Sequence, residues 1–93
     1  MTHSNNIVAT ELVLKAMANR RRLAILALLT RKGRADVGSV ADQIHLSFAA
    51  TSRHLRTLAN ADLVESEQVN TTVYYSISKK RHPILDTTIK VVR

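Results

Sequence analysis

The chain has no cysteine, which removes disulfides, thiolate metal sites and cysteine redox switching together. Tryptophan is also absent, and one phenylalanine and two tyrosines complete the aromatic set, so a core must be built from aliphatic side chains. A single proline and two glycines argue against a low-complexity or disordered chain. No apolar run is long enough to cross a bilayer as a helix. The opening "MTHSNN" lacks the basic-then-apolar order of a signal peptide, so a cytoplasmic location is expected. A glycine-rich phosphate loop and paired carboxylates are missing too, and histidines, serines and acids occur singly. No enzyme activity and no cofactor are expected.

Acidic residues are the scarcer sign: 7 against 14 basic ones, a net charge of +7. Such a balance favours polyanions through counterion release, nucleic acid foremost. Ribosomal proteins, membrane-surface proteins and some ordinary domains share it, so charge alone does not choose among them. The 93 residues fit one domain, 1–93, small enough to benefit from association with a second copy.

Helical periodicity opens the chain. At roughly 100° per residue, Ile7, Val13, Leu14 and Met17 share one arc of a helix over 7–17, and Val8, Ala9, Leu12 and Ala16 the opposite one. Only Glu11 and Lys15 mark a clearly wet stripe. A helix apolar on two sides is buried on two sides, and in so small a domain the second cover is expected to be another subunit. Asn19 is placed to cap a second helix that runs to Lys32 and stops before Gly33. Leu23, Leu26 and Ala27, flanked by Ile25, Leu28 and Leu29, make it the central core helix. "RRR" at 20–22 opposes the dipole of that helix and reads as a solvated end or a phosphate contact.

A shorter helix at 37–44 turns Val37, Val40, Ala41 and Ile44 inward. "HLS" at 45–47 connects it to another helix with Ser47 as N-cap. Residues 64–69 and 72–77 then read as strands around a turn at Asn70-Thr71, with Val73, Tyr75 and Ile77 on a core face. His82-Pro83 opens a last helix, with Ile84, Leu85, Ile89, Val91 and Val92 on its covered side. The order α-α-α-α-β-β-α, mainly helical with a small hairpin, is that of a winged helix-turn-helix domain.

"SFAATSRHLRTL" at 47–58 carries the functional signal. Thr51, Leu55, Leu58 and Ala59 form a core arc; Ala49, Ser52, Arg53, Arg56 and Asn60 form an outward one, with Phe48 at the border. His54 is offset from the outward arc and reads as a phosphate contact or as cover for the core. An α-helix fits the major groove of B-DNA, arginine bonds guanine bidentately, and serine donates to base or phosphate. The plain reading, a surface helix touching nothing, loses ground once the preceding helix, the tight turn, the hairpin and the charge are counted.

"LKAMANRRRLAIL", "VGSVADQIHLSFAATSRHLRTLANADLV" and "VYYSIS" resemble the ArsR/SmtB-type winged-helix repressors of bacteria and archaea, over about residues 12–78. The resemblance implies a homodimer built by the first and last helices. It also implies a partly palindromic operator, repression relieved by an inducer, and operator contacts at Ser47, Phe48, Ala49, Ser52 and Arg53. Members often carry polar residues at the Phe48 and Ala49 positions; here that pair can meet thymine methyl groups. Their wing tip often bears arginine, whereas this one reads Asn70-Thr71-Thr72, with Glu65 and Glu67 behind it. Repulsion of phosphate by those acids leaves wing contact at the tip or nowhere. His45 stands where glycine is usual. A Cys-x-Cys metal pair would fall on Asp36 and Gly38, and a last-helix site on His82 and Asp86 alone; no metal is expected.

The sequence therefore points to a dimeric DNA-binding transcriptional regulator, a repressor, with no cofactor and no membrane partner; it names no inducer and does not say whether one exists. Ser52 and Arg53 should meet base edges, Arg56 and Ser47 phosphates, and Thr71 the wing contact. Lys79, Lys80 and Arg81 are secondary backbone candidates or a solvated cluster. The competing reading is a winged-helix protein-association module, antitoxin-like or a scaffold subunit. Double-stranded RNA or non-specific chromosome binding is a third.

Overall fold

A computed structural model describes residues 2–93, with side chains described from residue 6. The chain runs α1 (Thr2–Met17), α2 (Arg20–Lys32), β1 (Ala35–Asp36), α3 (Val37–Ile44), α4 (Phe48–Asn60), β2 (Val64–Val69), β3 (Thr72–Ile77) and α5 (Ile84–Val92). This is the winged-helix order with one addition. β1 pairs antiparallel with β3, Ala35 opposite Tyr75 and Asp36 opposite Tyr74, so the expected hairpin is one part of a sheet ordered β1-β3-β2. Two residues carry no readable period; the free edge of β3 makes them a strand.

The helix ends follow local chemistry. Asn19 Oδ1 accepts from the N–H groups of Arg21 (2.9 Å) and Arg22 (3.1 Å), satisfying two otherwise unpaired donors of α2. Gly33, at φ 84°, closes that helix with its N–H on the Leu29 carbonyl. His45 takes the left-handed conformation, φ 56°, that ends α3, and the Leu46 N–H reaches back to the Ala41 carbonyl at 3.0 Å. Histidine thus fills a glycine-like position, at the steric cost a Cβ carries there.

Ile25, Leu26, Leu29, Val40, Leu55, Leu58, Leu63 and Leu85 form the fully buried centre, drawn from α2, α3, α4, the strand entry and α5. Of the residues expected on the core face of β3, Tyr75 and Ile77 pack against this centre, but Val73 is 38% exposed. Toward its turn the hairpin projects past the body of the domain, so its core face runs out of cover. Val91 departs in the same way at 78% exposure, because α5 packs chiefly on α2 and Val91 faces away.

The arginine cluster also departs from its reading as a solvated end. Arg22 donates through Nε to the Ala16 carbonyl and through Nη2 to that of Lys15 (3.3 Å), while Arg21 Nη1 donates to the Ile44 carbonyl at 3.0 Å. Cations that oppose the dipole of α2 instead complement the C-termini of α1 and α3, where carbonyls lack intrahelical partners. Arg20 alone of the three is exposed.

Candidate nucleic-acid interface

Two features orient α4. Its start is fixed by Ser47, whose Oγ accepts the Ala50 N–H at 3.1 Å. Its rotation is fixed by Thr51, Leu55 and Leu58, all fully buried. With that arc pinned, Ala49, Arg53, Arg56 and Asn60 are exposed and Ser52 is half-buried. Phe48, at the helix start, keeps 63% of its surface exposed. The capping bond uses an acceptor of Ser47, so its hydroxyl proton stays available for donation.

Between the start of α4, the start of α3 and the wing lies an open groove of about 420 Å³. Phe48, Ser52 and Thr71, three of the residues singled out from sequence, line it together with Val37, Val73 and Tyr75. Ala49, Arg53 and Arg56 lie outside that groove on the same helix, and Ser47 sits at its capped end.

The acids near the groove each have a hydrogen-bond or ion-pair partner. Asp36 caps α3, accepting from Ser39 Oγ at 2.6 Å and from the Ser39 N–H at 3.2 Å. Those bonds, the side-chain one foremost, hold its carboxyl below the ordinary 3.8. On the wing, Glu67 lies 3.8 Å from Arg34, whose guanidinium stacks 4.2 Å over the Tyr74 ring. Glu65 accepts the Lys79 N–H at 3.2 Å. The acids expected to repel phosphate thus have partners, though an exposed pair offsets little of that repulsion. Arg81, read as a backbone candidate, is exposed but bonded within its own chain: Nε reaches Asp86 at 2.7 Å and Nη1 the Ser78 carbonyl at 3.0 Å. Lys79 and Lys80 remain exposed.

His54, for which the sequence allows phosphate contact or core cover, has a third role. Arg22 Nη1 donates to its Nδ1 at 3.2 Å. Because Arg22 can only donate, Nδ1 accepts and the ring carries its proton on Nε2. Burial first, then Arg22, Arg53 and Arg21, push the His54 pKa below 6.5. One guanidinium therefore joins the end of α1 to the middle of α4. The dipole-opposing "RRR" was the available sign of this, but its partners lie 32 and 6 residues away.

A family profile described as bacterial regulatory protein, arsR family, matches residues 19–66, from the cap of α2 into β2. The chain belongs to the ArsR family. It is 38% identical over 73 residues to the transcriptional activator HlyU of Vibrio cholerae, covering 78% of this chain and 67% of that one. It is 43% identical over 65 residues to the nodulation protein NolR of Rhizobium meliloti, 70% of this chain and about half (52%) of that relative. A solved structure of Vibrio cholerae HlyU, 34% identical, superposes with a TM-score of 0.79 over 92% of this chain and 89% of that one. The homodimeric winged helix-turn-helix DNA-binding domain of a possible ArsR-family regulator from Mycobacterium bovis, 31% identical, gives 0.85 over 97% and 82%.

As an ArsR-family member the chain is a winged helix-turn-helix transcriptional regulator, in a family of regulators rather than enzymes. Among the described residues no three His, Cys, Asp or Glu side chains come together as a metal site. The pair raised from sequence is engaged otherwise. His82 Nδ1 accepts the Ile84 N–H at 3.1 Å and Nε2 faces Thr10 Oγ1 at 3.3 Å, tying α5 to α1, while Asp86 holds Arg81. No described helix is long and apolar enough to cross a membrane.

Proposed function

We propose that this ArsR-family regulator acts as a homodimer on a partly palindromic operator, with α4 of each protomer in the major groove, and represses by occupying the promoter. Ser52 and Arg53 read base edges beside Phe48 and Ala49. Ser47 and Arg56 hold phosphates, and Thr71 touches the backbone at the wing tip. Lys79 and Lys80 add backbone attraction. Phosphate contacts set register, and base contacts set sequence. The observation that carries this reading is the phase of α4: three fully buried residues turn Arg53 and Arg56 to solvent, with Ser52 half-buried beside them.

The dimer is assigned to α1 and α5. Ile7, Val8, Leu12 and Leu14 are 70%, 64%, 50% and 46% exposed, and Val91 is 78% exposed. Full burial of such a side chain contributes about 1.5–3 kcal/mol. At roughly half that, the four from each of two protomers give about 6–12 kcal/mol, comparable with the ~4–15 kcal/mol that association costs. The gain from α1 alone is of the same order as that cost, and the exposed Val91 of α5 adds apolar area to it. The homodimeric state of the Mycobacterium bovis domain supports a homodimer here, without saying which helices build it.

Selection from a pool of random duplexes tests the reading. A recovered palindrome with half-sites about one helical turn apart is expected. Recovery without sequence preference, or with an unpaired site, contradicts it.

A further inference from the structure

Phe48 is the chain's one phenylalanine, yet it lies outside the core at 63% exposure, on the first turn of α4. It shares its groove with Val73 of β3, itself 38% exposed, and with Val37 and Tyr75, which pack against the core. Apolar surface thus comes to one groove from α3, α4 and the wing. Among the described residues no cation lines it: Ser52, Thr71 and Thr72 are neutral, and Asp36 is a carboxylate bonded to Ser39. The exposed cations of the helix, Arg53 and Arg56, lie outside this groove, one and two turns along. The helix therefore presents an apolar side chain at its start and positive charge after it.

In the major groove, unmodified bases present one apolar substituent, the 5-methyl group of thymine, and apolar side chains recognise it by contact. We infer that Phe48, backed by Val73 across the groove, is a specificity-determining residue that receives a thymine 5-methyl group in each half-site. This rests on the DNA reading above and deepens it. Sequence choice then has two parts: hydrogen bonds from Ser52 and Arg53, and methyl burial against Phe48.

The test uses the duplex recovered by selection, with each thymine replaced in turn by deoxyuridine, which removes the methyl and keeps base pairing. The expected result is an enriched thymine in each half-site whose replacement weakens wild-type binding about fourfold per methyl removed. Phe48→Ala, which changes both protomers, should bind the thymine duplex more weakly by about that factor for each half-site and be indifferent to deoxyuridine there, whereas Phe48→Leu should keep most of the discrimination. Phe48 is exposed, so both variants should fold, and thermal melting checks this. Two results overturn the inference while leaving operator binding intact: full wild-type affinity on every deoxyuridine duplex, or unchanged methyl sensitivity in Phe48→Ala. Failure to select any duplex overturns the DNA reading and the methyl contact together.

Discussion

Two buried or half-buried polar side chains set how single residues affect stability. Thr51 is fully buried in the core arc of α4, and its hydroxyl finds no hydrogen-bond partner among the described residues. A buried hydroxyl without a partner costs about 1–3 kcal/mol. Thr51→Val keeps the branched shape and removes the polar atom, so urea unfolding should show a gain of about 1 kcal/mol. A decrease would mean that the hydroxyl is satisfied. His54 gives a pH dependence. Its folded pKa lies below 6.5, so the unfolded chain binds the proton more readily. Its contribution is complete above 6.5 and is lost as pH falls through the folded value. Asp36, also depressed, adds a second loss below its ordinary 3.8. Denaturant midpoints measured from pH 7.5 down to 5 should therefore fall, and His54→Gln should flatten that slope. An unchanged slope in the variant would remove His54 from the account.

At the scale of elements, what was legible in the sequence was what repeats. The phase of α4 could be read because Thr51, Leu55 and Leu58 recur at helical spacing, and the core they meet is the expected one. The caps at Asn19, Gly33 and Ser47 were equally readable, since each depends on one residue type at one backbone position. Features made by distant segments were not legible. β1 exists because β3 offers an edge, Val73 is exposed because the wing outruns the body, and Arg21 and Arg22 cap helices that are not their own. The site divides the same way. The outward position of Arg53 and Arg56 followed from period, but the apolar groove joining Phe48 to Val73 needed the hairpin folded against α4. The exposed face of α1 belongs to this scale too. Leu12→Glu should convert the dimer to a monomer by sedimentation at micromolar concentration while leaving the protomer folded; a dimer that persists would place the interface elsewhere.

For the whole molecule, the clamp from Arg22 links the two helices to which the proposal gives assembly and recognition. It holds the last carbonyls of α1, the helix assigned to the dimer, and the His54 ring on α4, the helix assigned to DNA. On the proposed reading, the net charge of +7 on each chain would draw the dimer to any duplex, and the ridge of α4 would choose among them. These two contributions separate by their response to salt and sequence.

Titration of wild type, Arg53→Ala and Arg56→Ala against the selected duplex and a random one, at several salt concentrations, tests the central claim most directly. Arg53→Ala should cost about 1–3 kcal/mol on the selected duplex and narrow the gap to random DNA. Arg56→Ala should weaken both duplexes alike and lower the salt slope by about one for each phosphate it no longer neutralises. If Arg53→Ala bound both duplexes as the wild type does, α4 would not be the helix that reads the operator.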